Sequence, residues 1–263
     1  MTTPSRWCRS SRDGLRRVAS EVVLTEPFYE LGDHIAIDLP GARAVFTTRR
    51  GGVSKAPYET LNLGLLTDDD PAAVRANREQ LAKGLGVAFA WRKQVHGAQV
   101  HVVDESWTSS EMPPDGDAVV TRTKGVAPLV LAADCVPIAI VGPGVVAMVH
   151  AGWQGLAKGV IAAAVAGLGV ETTVAAIGPA AGVCCYEVSD ELIDRFAALG
   201  HGARHQERRL DLKGIASDQL SQAGVNVVHD VNLCTICAPR DLLFSHRADR
   251  GITGRQAGIV WLT

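Results

Sequence analysis

A chain of 263 residues, 47% apolar and 21% charged, has the composition of an ordinary globular protein and enough length to bury a large core. Its formal net charge of −2 provides no basic footprint for nucleic acid. The longest apolar runs, such as Leu129 to Val146, are broken by Pro or Gly before they reach the roughly 18 residues a spanning helix needs. Neither nucleic acid nor membrane is therefore expected as a partner.

Residues 1–24 are rich in arginine, and no 7-to-15-residue apolar stretch of the secretory type follows them. They read as a flexible basic extension ahead of one domain spanning 25–263. Six cysteines in a chain of this length do not resemble a disulfide framework, and two of them form the vicinal pair Cys184–Cys185. A reducing cytoplasm is the expected compartment.

Ala44 to Thr48 reads as a strand entering the turn Arg49-Arg50-Gly51-Gly52, a candidate functional loop. Pro71 to Leu85 has helical spacing, with Asp70 as N-cap, Pro71 at the first helical position and Gly86 just beyond the end. Val100–Val103 and Ala118–Thr121 read as strands, separated by a polar, Pro-containing stretch from Asp104 to Asp117.

Leu129–Ala133, Pro137–Val141 and Val145–Val149 are β-rich apolar runs, expected as strands buried on both faces. Gln154 to Leu168 reads as one helix and Val174–Ile177 as a strand. A helix from about Ser189 to Leu199, capped by Ser189, comes next, then an amphipathic helix from Asp211 to Ala223 closed by Gly224. Gly258 to Leu262 ends the chain as a strand. Strands outnumber helices and several are consecutive, which favours a mixed α/β layered architecture over a strictly alternating doubly wound sheet.

Three segments place a possible metal ligand next to a strand end: Lys93-Gln94-Val95-His96-Gly97, Ala132-Ala133-Asp134-Cys135-Val136-Pro137 and Met148-Val149-His150-Ala151-Gly152-Trp153. Two imidazoles and one thiolate suit zinc, and three protein ligands leave a fourth position for water or substrate, the pattern of a catalytic site. Spacing alone also permits packed core residues at each position. Asp134 adjoins Cys135, but neighbours on a strand face opposite ways, so loop orientation is the alternative to direct chemistry. Cys234-Thr235-Ile236-Cys237 is a lone CxxC and reads as structural or incidental thiols. His34, His101, His201, His205 and His229 have no motif context and read as surface or core residues.

Thr48-Arg49-Arg50-Gly51-Gly52-Val53-Ser54, Leu61-Asn62-Leu63-Gly64, Lys93 to Gly97, Ala133 to Pro137, His150-Ala151-Gly152-Trp153, Ile177-Gly178-Pro179-Ala180 and Thr253-Gly254-Arg255 occur in that order. In this the chain resembles the multifunctional laccase-domain (YfiH-like) family, from about Phe28 to the C-terminus. The resemblance implies a single catalytic domain built as a four-layer α/β/β/α sandwich with mixed sheets, similar to the catalytic domain of cytotoxic necrotizing factor. It implies a zinc site of His96, Cys135 and His150, which are then also the catalytic residues. It further implies phosphorolysis of adenosine, inosine and methylthioadenosine to free base and ribose 1-phosphate, with deamination of adenosine to inosine. Purine nucleosides and phosphate are thus the expected small-molecule partners. The older family name, polyphenol oxidase, reflects copper-dependent oxidation by some members and keeps copper as the alternative metal.

Arg49 and Arg247 are the candidates for gripping phosphate, since a guanidinium presents a fork of donors to phosphate oxygens; the alternative for each is a surface arginine. Asn62 is a candidate contact to ribose or base, or else a turn-stabilising side chain. Where many family members read Phe-Ser-Tyr-Arg-Arg, this chain has Phe244-Ser245-His246-Arg247-Ala248, and the nearest replacement for the missing arginine is Arg250.

Competing readings are a cysteine hydrolase or amidase, with Cys135 as nucleophile and His150 as base, of the kind linked in relatives to peptidoglycan-precursor editing, and a copper-dependent phenol oxidase. Eight scattered histidines without a His-x-His pair are too few imidazoles for a multicopper centre. A non-enzymatic module would need a fourth ligand to close a structural zinc site, with Cys184 or Cys185 as candidates. Oligomeric state is not encoded in these motifs.

Overall fold

The computed structural model describes residues 24–106, 113–171 and 174–263. Apart from Leu24, which packs against the core, the expected N-terminal extension lies outside the described residues. In chain order the elements are β1 (Tyr29–Leu31), β2 (His34–Leu39), β3 (Ala42–Phe46), α1 (Pro71–Leu85), β4 (Ala88–Ala90), β5 (Val100–Val103), β6 (Ala118–Thr121), β7 (Val126–Ala132), β8 (Val136–Gly142), β9 (Val145–Ala151), α2 (Trp153–Ala157), α3 (Val160–Leu168), β10 (Val174–Ile177), α4 (Asp190–Phe196), β11 (His205–Gln206), β12 (Arg209–Leu210), α5 (Leu212–Gln222), β13 (Val227–Asp230) and β14 (Gln256–Leu262).

Two six-stranded sheets carry the fold, ordered β1-β2-β3-β14-β7-β4 and β13-β10-β8-β9-β6-β5. Both are mixed: the β4–β7, β5–β6 and β10–β13 pairs are parallel and the others antiparallel. The sheets pack face to face. Phe46, Val130 and Val260 of the first meet Ala139, Val141, Val146 and Met148 of the second in one buried cluster. Period-two alternation turns the other residues of β8 and β9, Ile138, Ile140, Ala147 and Val149, onto Leu156, Ile161, Leu168, Ile215 and Leu220 of the helices. On the far side of the first sheet, Leu129, Ala257 and Ile259 pack against Leu81 of α1, Trp91 and the Leu61–Leu63 loop. The layers therefore run α/β/β/α, as the sequence resemblance implies. Double burial explains why β8 and β9 read as continuous apolar runs: every residue of both is buried.

Helix α1 begins and ends where its caps predict. The Asp70 carboxylate accepts from the Ala72 N–H, Pro71 occupies the first turn, and Gly86 takes the left-handed conformation that closes the helix. Asp211 caps α5 by accepting from the Gly214 N–H at 3.0 Å. Ser189 holds the N-cap position of α4 without a side-chain capping bond to the helix backbone, and α4 ends at Phe196, where a wider turn over Ala197–His201 takes over.

The expected continuous helix from Gln154 to Leu168 is corrected to two, because Gly159 sits at φ +80°, a conformation that ends α2 and starts α3 in a new direction. The break has a use: Lys158, beside it, reaches back to the His96 carbonyl at 3.0 Å.

Candidate functional site

Alternation along β9 places His150 on the same face as Val146 and Met148, the face turned toward the other sheet. It lies opposite Pro137 in the β8–β9 ladder, one residue before that strand pair ends at Val136 and Ala151. Cys135 precedes the first residue of β8, and His96 comes from the loop between β4 and β5. Three segments distant in sequence thus deliver their ligand atoms to one end of the inter-sheet layer, all within 4.8 Å of one another. Cys135 Sγ stands 3.8 Å from His96 Nε2, and the two imidazole rings meet edge to face with centroids 4.9 Å apart. His150 is buried, at 3% exposure, while His96 is exposed, so the group grades from core to solvent. Gly152 leaves the room for this approach: a Cβ there would stand 2.9 Å from His96 Cδ2 and 3.0 Å from Cys135 Sγ.

One residue that the sequence reading passed over organises the cluster. Asp117, fully buried immediately before β6, accepts from the backbone N–H groups of Val95 (3.2 Å), His96 (3.0 Å) and Gly97 (2.7 Å) and from the His150 Nδ1 at 2.8 Å. These contacts hold His96 at φ +55°, a backbone conformation uncommon outside glycine. With Nδ1 donating to the carboxylate, the His150 Nε2 is the ring nitrogen that faces the cluster. Burial works against the Asp117 anion, but the His150 bond and the backbone donors outweigh it and hold its pKa below the ordinary carboxylate value. No motif marks this residue; it is one aspartate preceding a short strand.

The electrostatics of the three candidate ligands are mutual. Burial would push the Cys135 thiol up, yet the adjoining His150 and His96 imidazoles bring it down to about 6. Burial would likewise lower His150, and the Cys135 thiolate together with Asp117 raises it to about 9. A thiolate stabilised by neighbouring positive charge at this spot is the electrostatic environment a divalent cation would occupy. Two imidazoles and a thiolate, with one imidazole oriented by a carboxylate, are donors suited to zinc. The residues present fit that ion.

Asp134 lies in the loop before β8 with φ +94° and orients that loop, the alternative noted for it from the sequence. Its Oδ1 accepts from the Thr235 hydroxyl at 2.6 Å and its Oδ2 from the Arg247 backbone N–H at 2.7 Å. The Arg247 backbone is thereby tied to the residue that precedes Cys135. Its guanidinium lies 4.7 Å from the Tyr186 ring centroid and donates to the Glu187 carbonyl at 2.7 Å while remaining exposed. Half-buried Arg255, in the quoted Thr253-Gly254-Arg255 motif, has its pKa depressed by burial and partly restored by the negative charges of Cys135 and Asp134. It belongs to the same electrostatic neighbourhood, a placement the sequence reading did not extract.

The other two candidates are engaged elsewhere. Arg49 is buried, donates to the carbonyls of Glu59 (2.6 Å) and Arg240 (2.9 Å), and stacks 4.4 Å over the Phe244 ring. It fastens loops. Asn62, fully buried, uses its amide nitrogen on Thr67 (2.8 Å) and Asp69 (2.9 Å), and its oxygen accepts from the Gly64 (3.0 Å) and Arg255 (2.8 Å) N–H groups. That exhausts the carboxamide, so of the two roles the sequence offered, turn stabilisation is the one its contacts serve. Cys184 and Cys185 do not complete the His96–Cys135–His150 set; they group with Cys234 and Cys237.

Residues 43–263 match the family described as multi-copper polyphenol oxidoreductase laccase. The chain belongs to this family. It is 46% identical over 237 residues to the purine nucleoside phosphorylase SCO2081 of Streptomyces coelicolor, covering 84% of this chain and 96% of that one. It is 43% identical over 235 residues to the purine nucleoside phosphorylase ORF3 of Streptomyces griseus, covering 84% and 94%. The crystal structure of the Bacillus licheniformis hypothetical protein YfiH superposes with a TM-score of 0.84 at 31% identity, covering 91% of this chain and all of that one.

Proposed function

We propose that this chain is a zinc-dependent purine nucleoside phosphorylase, cleaving adenosine, inosine and methylthioadenosine with phosphate, and that the same site deaminates adenosine. The observation that carries the reading is the meeting of His96, Cys135 and His150 within 4.8 Å, in a chain 46% identical over 84% of its length to a protein named for phosphorolysis. His96 Nε2, Cys135 Sγ and His150 Nε2 would hold the metal. When bound, zinc supplies positive charge that attracts an oxygen nucleophile and offsets negative charge developing in the transition state.

The chain's own residues do the rest. Asp117 keeps the His150 proton on Nδ1 and fixes the His96 loop, so the donor set is organised before substrate arrives. The guanidinium groups of Arg247, over the Tyr186 ring, and of Arg255, which feels the Cys135 charge, are the phosphate-holding candidates; Arg49 and Asn62 become scaffold. In phosphorolysis a phosphate oxygen forms the new bond to the ribose anomeric carbon while the bond to the purine nitrogen breaks, its electron pair leaving with the base. In deamination, water adds to the amino-bearing ring carbon and ammonia departs. Described residues Cys135, Cys184, Cys185, Cys234 and Cys237 stand outside disulfides, and among the described residues no helix is long and apolar enough to cross a membrane. The thiols support the cytoplasm as the compartment.

The test is release of free base from adenosine and inosine by metal-stripped and zinc-restored protein, with and without phosphate. Zinc-restored, phosphate-dependent cleavage is expected. Cleavage indifferent to both would reject the reading.

A second reading is favoured by one feature: the lowered Cys135 thiol, the raised His150 and Asp117 behind it have the order of a Cys–His–Asp hydrolase triad. It requires activity that survives exhaustive chelation and is abolished by thiol alkylation.

A further inference from the structure

We infer that Cys184, Cys185, Cys234 and Cys237 form a second, four-thiolate zinc site, structural in role, that clamps two loops behind the Asp134–Cys135 turn. The four sulfurs lie within 4.8 Å of one another. A tetrahedral zinc with Zn–S bonds of about 2.3 Å separates its sulfurs by about 3.8 Å. Cys184 Sγ and Cys237 Sγ are 3.8 Å apart, the edge of such a tetrahedron and far beyond the roughly 2.05 Å of a disulfide. Four protein thiolates fill the coordination sphere and leave no position for substrate, the mark of a structural rather than a catalytic site. The CxxC that looks isolated in the sequence therefore has its second pair, but as a vicinal dipeptide some 50 residues earlier, outside the spacing rules by which zinc motifs are recognised.

The local backbone is built around the sulfurs. Ala180 and Cys234 form a parallel bridge, with the Thr235 N–H on the Ala180 carbonyl at 3.0 Å and the Ala180 N–H on that of Leu233 at 3.3 Å. The N–H groups of Cys185 and Tyr186 both turn onto the Gly182 carbonyl at 2.9 Å, and that of Ala238 onto the Cys234 carbonyl at 3.0 Å. The Gly182 N–H points at Cys234 Sγ, 3.3 Å away, the kind of donor that supports a metal-bound thiolate. Any Cβ on Gly182 would press on Cys184 Sγ at 3.2 Å and Cys234 Sγ at 3.4 Å. Cys234 is 6% exposed and the other three are half-buried, so the group is shielded yet reachable by an ion.

Both loops are fastened to one residue. The Ala181 N–H donates to the Asp134 carbonyl at 2.9 Å, and Thr235, inside the CxxC, donates to its carboxylate at 2.6 Å. Joining the loops through a shared ion would hold Asp134 in its left-handed conformation, and with it Cys135 and the Arg247 backbone.

Zinc content of the full-length chain, measured by plasma mass spectrometry with Cys135→Ala and a Cys234→Ser/Cys237→Ser double variant, decides the matter. Two ions per wild-type chain are expected, one in each variant. Cobalt titrated into metal-stripped Cys135→Ala should give the intense tetrahedral and sulfur charge-transfer absorption of a thiolate-rich site, and none should appear in the double variant. Should the double variant fail to fold, wild type and Cys135→Ala still decide. A single wild-type ion retained by Cys135→Ala supports this site and removes the metal from the active-site reading. A single ion lost in Cys135→Ala overturns the inference. So does a disulfide among these four cysteines in freshly purified protein, or iron in place of zinc.

Discussion

Replacing Asp117 by asparagine removes one acceptor atom and inserts a donor in its place, with almost no change of volume. The carboxylate accepts four bonds, with His150 Nδ1 and the His96 N–H on one oxygen and the Val95 and Gly97 N–H groups on the other. An amide keeps one oxygen, so two of the four must break, and the NH2 then faces donors in a site with no exposure. Hydrogen bonds to a charged group are worth about 1.5–3 kcal/mol each, so the loss comes to about 3–6 kcal/mol, a large part of the roughly 5–15 kcal/mol that holds a typical domain together. If the amide oxygen stays with the Val95 and Gly97 pair, His150 loses its orienting acceptor, and zinc affinity should fall by about 10- to 100-fold. Urea unfolding and a competition titration against a chromophoric chelator read the two effects. A variant with unchanged midpoint and unchanged zinc affinity would refute the role given to Asp117.

Cys135→Ala should abolish both phosphorolysis and deamination if one centre serves them; full phosphorolysis in this variant would separate the two reactions. Arg247→Ala should raise the phosphate KM about tenfold or more, since one charge-assisted contact of about 1.4 kcal/mol corresponds to that factor, whereas an unchanged phosphate titration removes Arg247 from the site. Arg49→Ala should leave phosphate dependence alone and cost on the order of 3 kcal/mol of stability, because it strands the carbonyls of Glu59 and Arg240; a raised phosphate KM with wild-type stability would reverse that assignment. Asp218 is held below the usual carboxylate pKa of 3.8, chiefly by its hydrogen bonds with Arg204. Its contribution to stability is therefore complete above the unfolded value and lost as pH falls through the lower folded one. The acid limb of a urea-midpoint profile should flatten in Asp218→Asn, and an unaltered limb would show the pair to be worth nothing.

What could be read from the sequence follows the range of the interactions involved. Helix α1 was legible to the residue because Asp70, Pro71 and Gly86 act within one turn of its ends. The β8–β9 hairpin was legible because both strands are buried on both faces and therefore apolar throughout. By contrast β2 and β4 were missed: β2 has polar residues at His34 and Asp38, and β4 spans only Ala88–Ala90, too short for a periodicity to register. Local spacing also carried a helix through Gly159, since a single glycine in a helical pattern does not reveal the sign of its φ. No local pattern announces that β14 inserts between β3 and β7. Of the candidate site, the three residues that cluster, His96, Cys135 and His150, were recoverable through motifs, while Asp117 and Tyr186, which act through tertiary contacts, carry no motif of their own.

Two carboxylates, Asp117 and Asp134, explain why the candidate ligand motifs look as they do. His96 and Asp134 both occupy positive φ without being glycine, a cost of order 1–3 kcal/mol each that only over-determined surroundings sustain. At His96 the compensation comes from Asp117, which gathers three consecutive backbone donors. At Asp134 it comes from the residue's own side chain, which binds Thr235 and Arg247. In each case the strained residue is, or immediately precedes, a candidate ligand, and the backbone turn brings that side chain's donor atom within 4.8 Å of the other two. Glycine at position 96 would relieve the backbone but remove the imidazole, and glycine at 134 would keep the turn while releasing Thr235 and Arg247. An aspartate in a left-handed turn next to the cysteine is thus required by the geometry for reasons separate from acid–base chemistry, and the same residue couples the candidate active centre to the cysteine-bearing loops behind it.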